Sequence, residues 1–172
     1  MSLQTAGSVN MRIINIDLFD LLDLSDLDQS KKDDYVNKIN ALVMQLFLTK
    51  VAEIIGPEKR EALMAKYNPD SITEDQAQSI LSDIGNLVPD ASDLYVKTLA
   101  QVKASFVEEQ YKTKRAALEE ALAQATDEDE KLALQRKIEL MSKNEQYAKE
   151  GNWDAILAAN QAAKEGKVVD SK

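Results

Sequence analysis

Apolar residues recur at helical spacing along most of the chain, and this pattern predicts the secondary structure. Between residues 36 and 55 they fall on two faces of one helix. A helix that is apolar on two faces belongs in the middle of a bundle, so we expect Phe47 to be deeply buried. The first face consists of Val36, Ile39, Val43, Leu46, Phe47 and Ile54, and the second of Met44, Leu48, Val51 and Ile55.

Turn and capping residues divide this pattern into seven predicted helices. Gly56 followed by Pro57 ends one helix and begins the next, and Gly151-Asn152 does the same near the end of the chain. Ser25, Asp28 or Ser30 can cap the helix that runs to residue 55, and an N-cap is expected within residues 126–129. The predicted helices cover residues 15–24, up to 55, 57–67, 74–87, 90–125, 127–148 and 153–164, although residues 12–14 also suit an extended segment.

The sequence predicts an all-α protein. Glycine and proline number 5 and 3, under half of the roughly 12% share usual for globular chains. The predicted order is a flexible segment at residues 1–12, a helical bundle at 13–108, a long antiparallel helical hairpin at 109–150, and a short helix with a tail at 151–172. Opposite charges four residues apart, such as Asp127 with Lys131 and Glu145 with Lys149, are expected on the hairpin's exposed faces.

The hairpin is the candidate interaction surface. Its apolar residues are three and four residues apart and form a narrow seam, as packing between two helices requires, although Glu109 and Glu145 interrupt it. Two interpretations remain open: the hairpin projects and binds a partner or another copy of the chain, or it folds back on the bundle. The candidate residues are Tyr111, Leu118, Leu122, Leu134, Ile138, Met141 and Trp153. For Trp153 the preferred interpretation is that it anchors the final helix, and an exposed binding residue is the alternative.

Composition excludes several kinds of chemistry. The chain has no histidine and no cysteine, which removes zinc sites with those ligands, Cys–His catalysis and the Ser-His-Asp triad. No glycine-rich phosphate loop is present. We therefore expect no catalytic residue, no bound metal and no cofactor. The formal net charge of −9 repels phosphate backbones, so no nucleic-acid partner is expected.

The acidic N-terminal segment allows two further interpretations. Aspartates at positions 17, 20, 23, 26 and 28 suggest calcium, but an EF-hand loop starting at Asp23 would have Leu27 and Asp28 where an oxygen ligand and a glycine are needed. Residues 21–24 resemble a clathrin-box peptide that docks into a groove. A first helix that packs on its own bundle, with a solvated aspartate face, is the preferred interpretation.

No apolar run reaches the length of a membrane span. No secretory signal is recognised at the start of the chain. We expect no membrane insertion and a cytoplasmic location.

One resemblance covers a little over half of the chain, from about residue 17 to residue 109. The run ALVMQLFLTKVAEIIGPEKREALMAKY, followed by ITEDQAQSILSDIGNLVPDASDLYVKTLAQVKASFVEE, resembles a family of small helical bacterial proteins of unknown function, found mainly in candidate-phylum genomes. The resemblance implies no activity and no ligand. The hairpin and the C-terminal helix lie outside it.

The sequence therefore predicts a non-enzymatic helical module for protein–protein interaction or assembly, with a protein partner or self-association. A bundle that binds a small ligand or a metal is the alternative, followed by a carboxylate-based enzyme. A polar-lined cavity would favour the ligand-binding bundle, and an apolar seam left exposed would favour the interaction module.

Overall fold

A computed structural model describes residues 11–66, 79 and 82–166, and every element in these ranges is a helix. The all-α prediction is confirmed. The elements are a 3-10 helix at Met11–Asn15, then α1 (Leu18–Leu21), α2 (Gln29–Ile55), α3 (Pro57–Lys66), α4 (Ala91–Gln124), α5 (Glu128–Glu150) and α6 (Trp153–Lys164). Residues 82–85 are also helical. Most of the helix predicted at 74–87 lies outside the described residues.

The first predicted helix, at residues 15–24, is wrong in its bounds, because two aspartates interrupt it. Asp17 has extended backbone angles and accepts a hydrogen bond from the Phe19 main-chain nitrogen at 2.7 Å, so α1 begins only after it. Asp23 has a φ of 52°, and the Leu24 nitrogen donates to the Phe19 carbonyl at 2.8 Å. A left-handed residue with this hydrogen bond ends a helix.

Several predicted helix boundaries are confirmed. Asp28 caps α2 by accepting a hydrogen bond from the Lys31 nitrogen at 3.0 Å. Gly56 ends the same helix with a φ of 80°, which glycine adopts without strain, and Pro57 begins α3. Gly151 ends α5 in the left-handed conformation, with a φ of 68°.

The chain forms two compact units. One contains residues 28–102 and the other contains residues 11–27 together with 103–166, so α4 begins in the first and ends in the second. The division predicted from the sequence, with borders at residues 12/13, 108/109 and 150/151, stays a prediction. The two units divide the chain differently, because residues 11–27 belong to the same unit as residues 103–166.

The unit of residues 28–102 is built around α2. Phe47 is fully buried, as the sequence predicted, and its ring meets that of Tyr95 edge-on with 5.4 Å between centroids. At the edge of this core, the Lys50 ammonium donates to the Gln101 side-chain oxygen at 2.8 Å. The core cluster consists of Met44, Phe47, Leu48, Val51, Ile84, Val88 and Ala91.

The unit of residues 11–27 and 103–166 has its own core. It is built from the 3-10 helix, α1, the second half of α4, the end of α5 and α6. Trp153 is 2% exposed, which fits the prediction that it anchors the last helix. The buried apolar side chains of this unit are Ile13, Leu18, Leu21, Leu22, Val107, Tyr111, Ala148, Trp153, Ile156 and Ala159.

Candidate interaction surface

Helices α4 and α5 form an antiparallel pair. Residues 125–127 connect them, and the Arg115 Nε donates to Glu145 Oε2 at 3.0 Å from one helix to the other. Asp127 caps α5 by accepting a hydrogen bond from the Glu130 nitrogen at 2.9 Å. Acidic residues fill the first turn of α5, at 128, 129 and 130, where the helix dipole favours negative charge.

The outer part of this pair has no fully buried side chain. We call residues 112–143 the arm; each of them is either half-buried or exposed. Two helices alone cover each other on one side only, so the apolar side chains between them keep contact with solvent. We call the half-buried side chains of Leu118, Leu122, Leu134, Ile138 and Met141 the seam.

Buried polar side chains hold the base of the pair. The Tyr111 hydroxyl donates to the Leu21 main-chain carbonyl. The Asn160 Nδ2 donates to the same carbonyl at 2.9 Å and to the Tyr111 Oη at 3.2 Å. Asn144 Nδ2 donates to Asn160 Oδ1 at 2.8 Å. This network links α1, α4, α5 and α6, and all of its side chains are buried.

The environment of Tyr111 keeps its hydroxyl protonated. Burial disfavours the phenolate and raises the pKa of Tyr111 to about 12, while the hydrogen bonds from Asn160 and Asn144 oppose that shift. A protonated hydroxyl can donate to the Leu21 carbonyl, which a phenolate cannot do. Tyr111 therefore has a structural role at neutral pH.

Glu145 interrupts the apolar pattern, as the sequence indicated, and it is the centre of an ion cluster. Its side chain is 11% exposed and accepts from Lys149 Nζ at 2.7 Å and from Arg115 Nε at 3.0 Å. These donors, with Lys149 first, hold the pKa of the Glu145 carboxyl below its usual value. Glu145 thus pairs with Lys149 as expected, but the expected exposed position of this pair is wrong, because the Glu145 side chain is almost fully buried. Lys131 pairs with Glu128 at 2.6 Å rather than with Asp127, whose carboxylate caps α5.

The structure separates the seven predicted interaction residues into two groups. Tyr111 and Trp153 are 1% and 2% exposed and belong to the core. The other five are the seam side chains, which lie within the arm and remain half-buried. The interaction role of these residues stays a prediction, and the seam is the accessible part of the predicted surface.

The N-terminal aspartates have structural partners. Asp17 and Asp28 cap helices, Asp20 accepts from the Ser25 hydroxyl at 2.8 Å, and Asp23 pairs with Lys164 at 2.7 Å. Within the described ranges, no group of three or more carboxylates is placed to hold a metal ion. Leu21 and Leu22 of the clathrin-box-like segment are fully buried, so this conformation does not present that segment to a partner.

Two lysines of α4 bind main-chain carbonyls. Lys103 Nζ donates to the carbonyls of Ile13, Ile14 and Ile16 at 3.0, 3.2 and 3.0 Å. Lys114 Nζ donates to the Leu22 carbonyl at 2.5 Å. Burial lowers the pKa of both lysines. In sequence they look like solvated helix residues, because their acceptors are about ninety positions away.

Comparisons with known proteins assign no family. No family model, no curated protein and no solved structure matches the chain. These comparisons therefore lend no support to the resemblance noted over residues 17–109. None of the described helices combines the length and the apolar character needed to span a lipid bilayer.

Proposed function

We propose that this protein is a non-enzymatic helical module for protein–protein interaction or assembly, and that the arm is its docking surface. The observation that supports the proposal most strongly is the continuous stretch of residues 112–143 without a buried side chain. Apolar side chains that a fold leaves partly exposed along a long, regular element are typical of sites where another chain packs. The seam supplies the apolar centre of such a contact.

The base of the arm supports the same function. The buried network of Tyr111, Asn144 and Asn160, and the pair of Arg115 with Glu145, fix the arm to the rest of its unit. A surface that is rigid before binding loses less conformational entropy when a partner docks. The proposed docking helices therefore do not have to fold on binding.

An enzyme and a ligand- or metal-binding bundle are less well supported. The Glu145 carboxyl at the base of the arm, whose pKa is lowered, is occupied by two cations. The raised pKa of Tyr111 belongs to a hydroxyl that bonds to the main chain. Neither group is left to act on a substrate. A cytoplasmic location stays a prediction.

A shortened arm tests the proposal. Deleting residues 116–122 and 131–137 removes one heptad from each helix, about 10 Å of arm length, while Arg115, Glu145 and the connecting residues stay. Removing whole heptads keeps the remaining side chains close to their original faces. We expect the variant to fold, with an unchanged Trp153 fluorescence spectrum, and to lose the protein that co-purifies with the wild-type chain from its native cells.

A point variant outside the arm is the control. Leu42 is a leucine of α2 that is 48% exposed, and Leu42→Ser should leave co-purification unchanged. If the short-arm variant is folded and still recovers the same protein in the same amount, the arm is not the docking surface.

A further inference from the structure

The charges of the arm are separated along its length. Residues 119–130, at the end where the helices connect, contain six acidic and no basic residues. The flanking segments 112–118 and 131–143 contain seven basic residues and one acidic residue. The arm as a whole is therefore neutral, and the formal charge of −9 resides entirely in the rest of the chain.

A neutral arm on an acidic protein favours contact between two arms. Like charges elsewhere on two copies repel each other, whereas the arms do not. If two arms lie antiparallel, the acidic end of each meets the basic part of the other, and both contacts are identical by two-fold symmetry. A parallel arrangement would place acidic end against acidic end.

Two side chains beside the seam fit the antiparallel arrangement. Glu130 lies four residues before Leu134, and Lys137 lies three residues after it, so both flank Leu134 on the surface of α5. Both are exposed, and within the part of the chain that the structure describes neither forms an ion pair. Their positions, one heptad apart, correspond to the charged positions beside a coiled-coil seam.

We propose that the partner of the arm is a second copy of the same chain, with the two arms packed antiparallel about an axis near Leu134, so that Glu130 of each copy pairs with Lys137 of the other. This inference rests on the proposed function, since it names the partner of the same surface. Burial of the two seams supplies the affinity, and the charge pattern selects the orientation.

Charge reversal tests the orientation in the full-length chain. Wild type should sediment at the mass of two chains of 19.1 kDa. Glu130→Lys and Lys137→Glu should each weaken association by about tenfold, because two pairs change from attraction to repulsion. Glu130→Lys/Lys137→Glu should restore it. An equimolar mixture of the two single variants should form a mixed dimer, since each then supplies the charge that the other lacks.

Glu53→Lys and Lys97→Glu are matched controls, because they change the net charge equally at exposed positions outside the arm. Both should associate like wild type. Three results would overturn the antiparallel dimer. They are a wild-type chain that is monomeric at every concentration, a dimer that persists in the short-arm variant, and single reversals that associate as the double reversal does. If wild type is monomeric but the arm crosslinks to a different protein, self-association is wrong and the proposed function stands. If the arm also crosslinks to nothing, both are wrong.

Discussion

The side-chain nitrogen of Asn160 donates a hydrogen bond to the Leu21 carbonyl at 2.9 Å, across 139 residues of sequence. Leu21 is the last residue of α1, so its carbonyl has no partner within the helix. Asn160 satisfies this carbonyl from α6, and the Tyr111 hydroxyl does so from α4. These two hydrogen bonds join the end of α1 to α4 and α6 at the base of the arm.

Replacing Asn160 should destabilise this junction. Asn160→Ala removes the acceptor of Asn144 Nδ2, and the Oδ1 of Asn144 already lacks a partner among the described residues. We expect a loss of about 1–3 kcal/mol in the free energy of unfolding, measured by urea denaturation. Asn40→Ala, at an exposed position of α2, should change it by less than about 0.5 kcal/mol. Equal effects of the two variants would contradict the role of the network.

Tyr111 should make the protein sensitive to alkaline pH. Its pKa is raised to about 12 in the folded chain from 10.0, so the folded state keeps a proton that the unfolded chain releases. Stability from this group is then lost as pH rises from about 10 towards 12. Tyr111→Phe should have lower stability at neutral pH and a weaker decline above pH 10. The same decline in both proteins would show that Tyr111 is not its source.

Glu145 should make the protein sensitive to acidic pH. Its pKa is lowered from the usual 4.5, so as pH falls the unfolded chain takes up a proton at a higher pH than the folded chain does. The stabilisation is present above about pH 4.5 and is lost as pH falls through the folded pKa. Thermal melts of Glu145→Gln should approach those of wild type at low pH and lie below them at neutral pH. Glu139→Gln, an exposed change on the same helix, should follow wild type throughout.

Phe47 should dominate the stability of the unit at residues 28–102. Its side chain is fully buried and contacts Tyr95. Phe47→Ala should cost about 3–5 kcal/mol, a large share of the roughly 5–15 kcal/mol typical of a whole domain. Leu42→Ala on the same helix, where 48% of the side chain is exposed, should cost far less. Chemical denaturation of both variants checks the prediction, which fails if their midpoints coincide.

Nucleic acids should not bind at physiological salt. Basic residues of the arm are balanced by acidic ones, and the rest of the chain is acidic, so little counterion release is available to drive binding. Fluorescence anisotropy with labelled single- and double-stranded oligonucleotides should stay flat. Tight binding that weakens steeply with added salt would contradict this expectation.

Local sequence signals were sufficient for most of the fold. Gly56, Pro57, Asp28 and Gly151 act on neighbouring main-chain atoms, so their effects can be predicted from a few adjacent residues. The network at the base of the arm could not be predicted in this way, because Asn160 and Leu21 are joined only by the tertiary fold. A helical pattern identifies an apolar face without stating what covers it. For the same reason Tyr111 and the seam side chains looked alike in sequence, although only Tyr111 is buried.

Photo-crosslinking from the arm tests the central claim most directly. Ala121 is exposed and lies three residues after Leu118, beside the seam; Ala41 is an exposed alanine of α2 and serves as the control. Benzoylphenylalanine is placed at either position of the full chain, and native cells are irradiated. We expect one discrete adduct from position 121, at the mass of two chains if the antiparallel dimer is correct, and none from position 41. No adduct from position 121, or the same adducts from both positions, would contradict a docking surface on the arm.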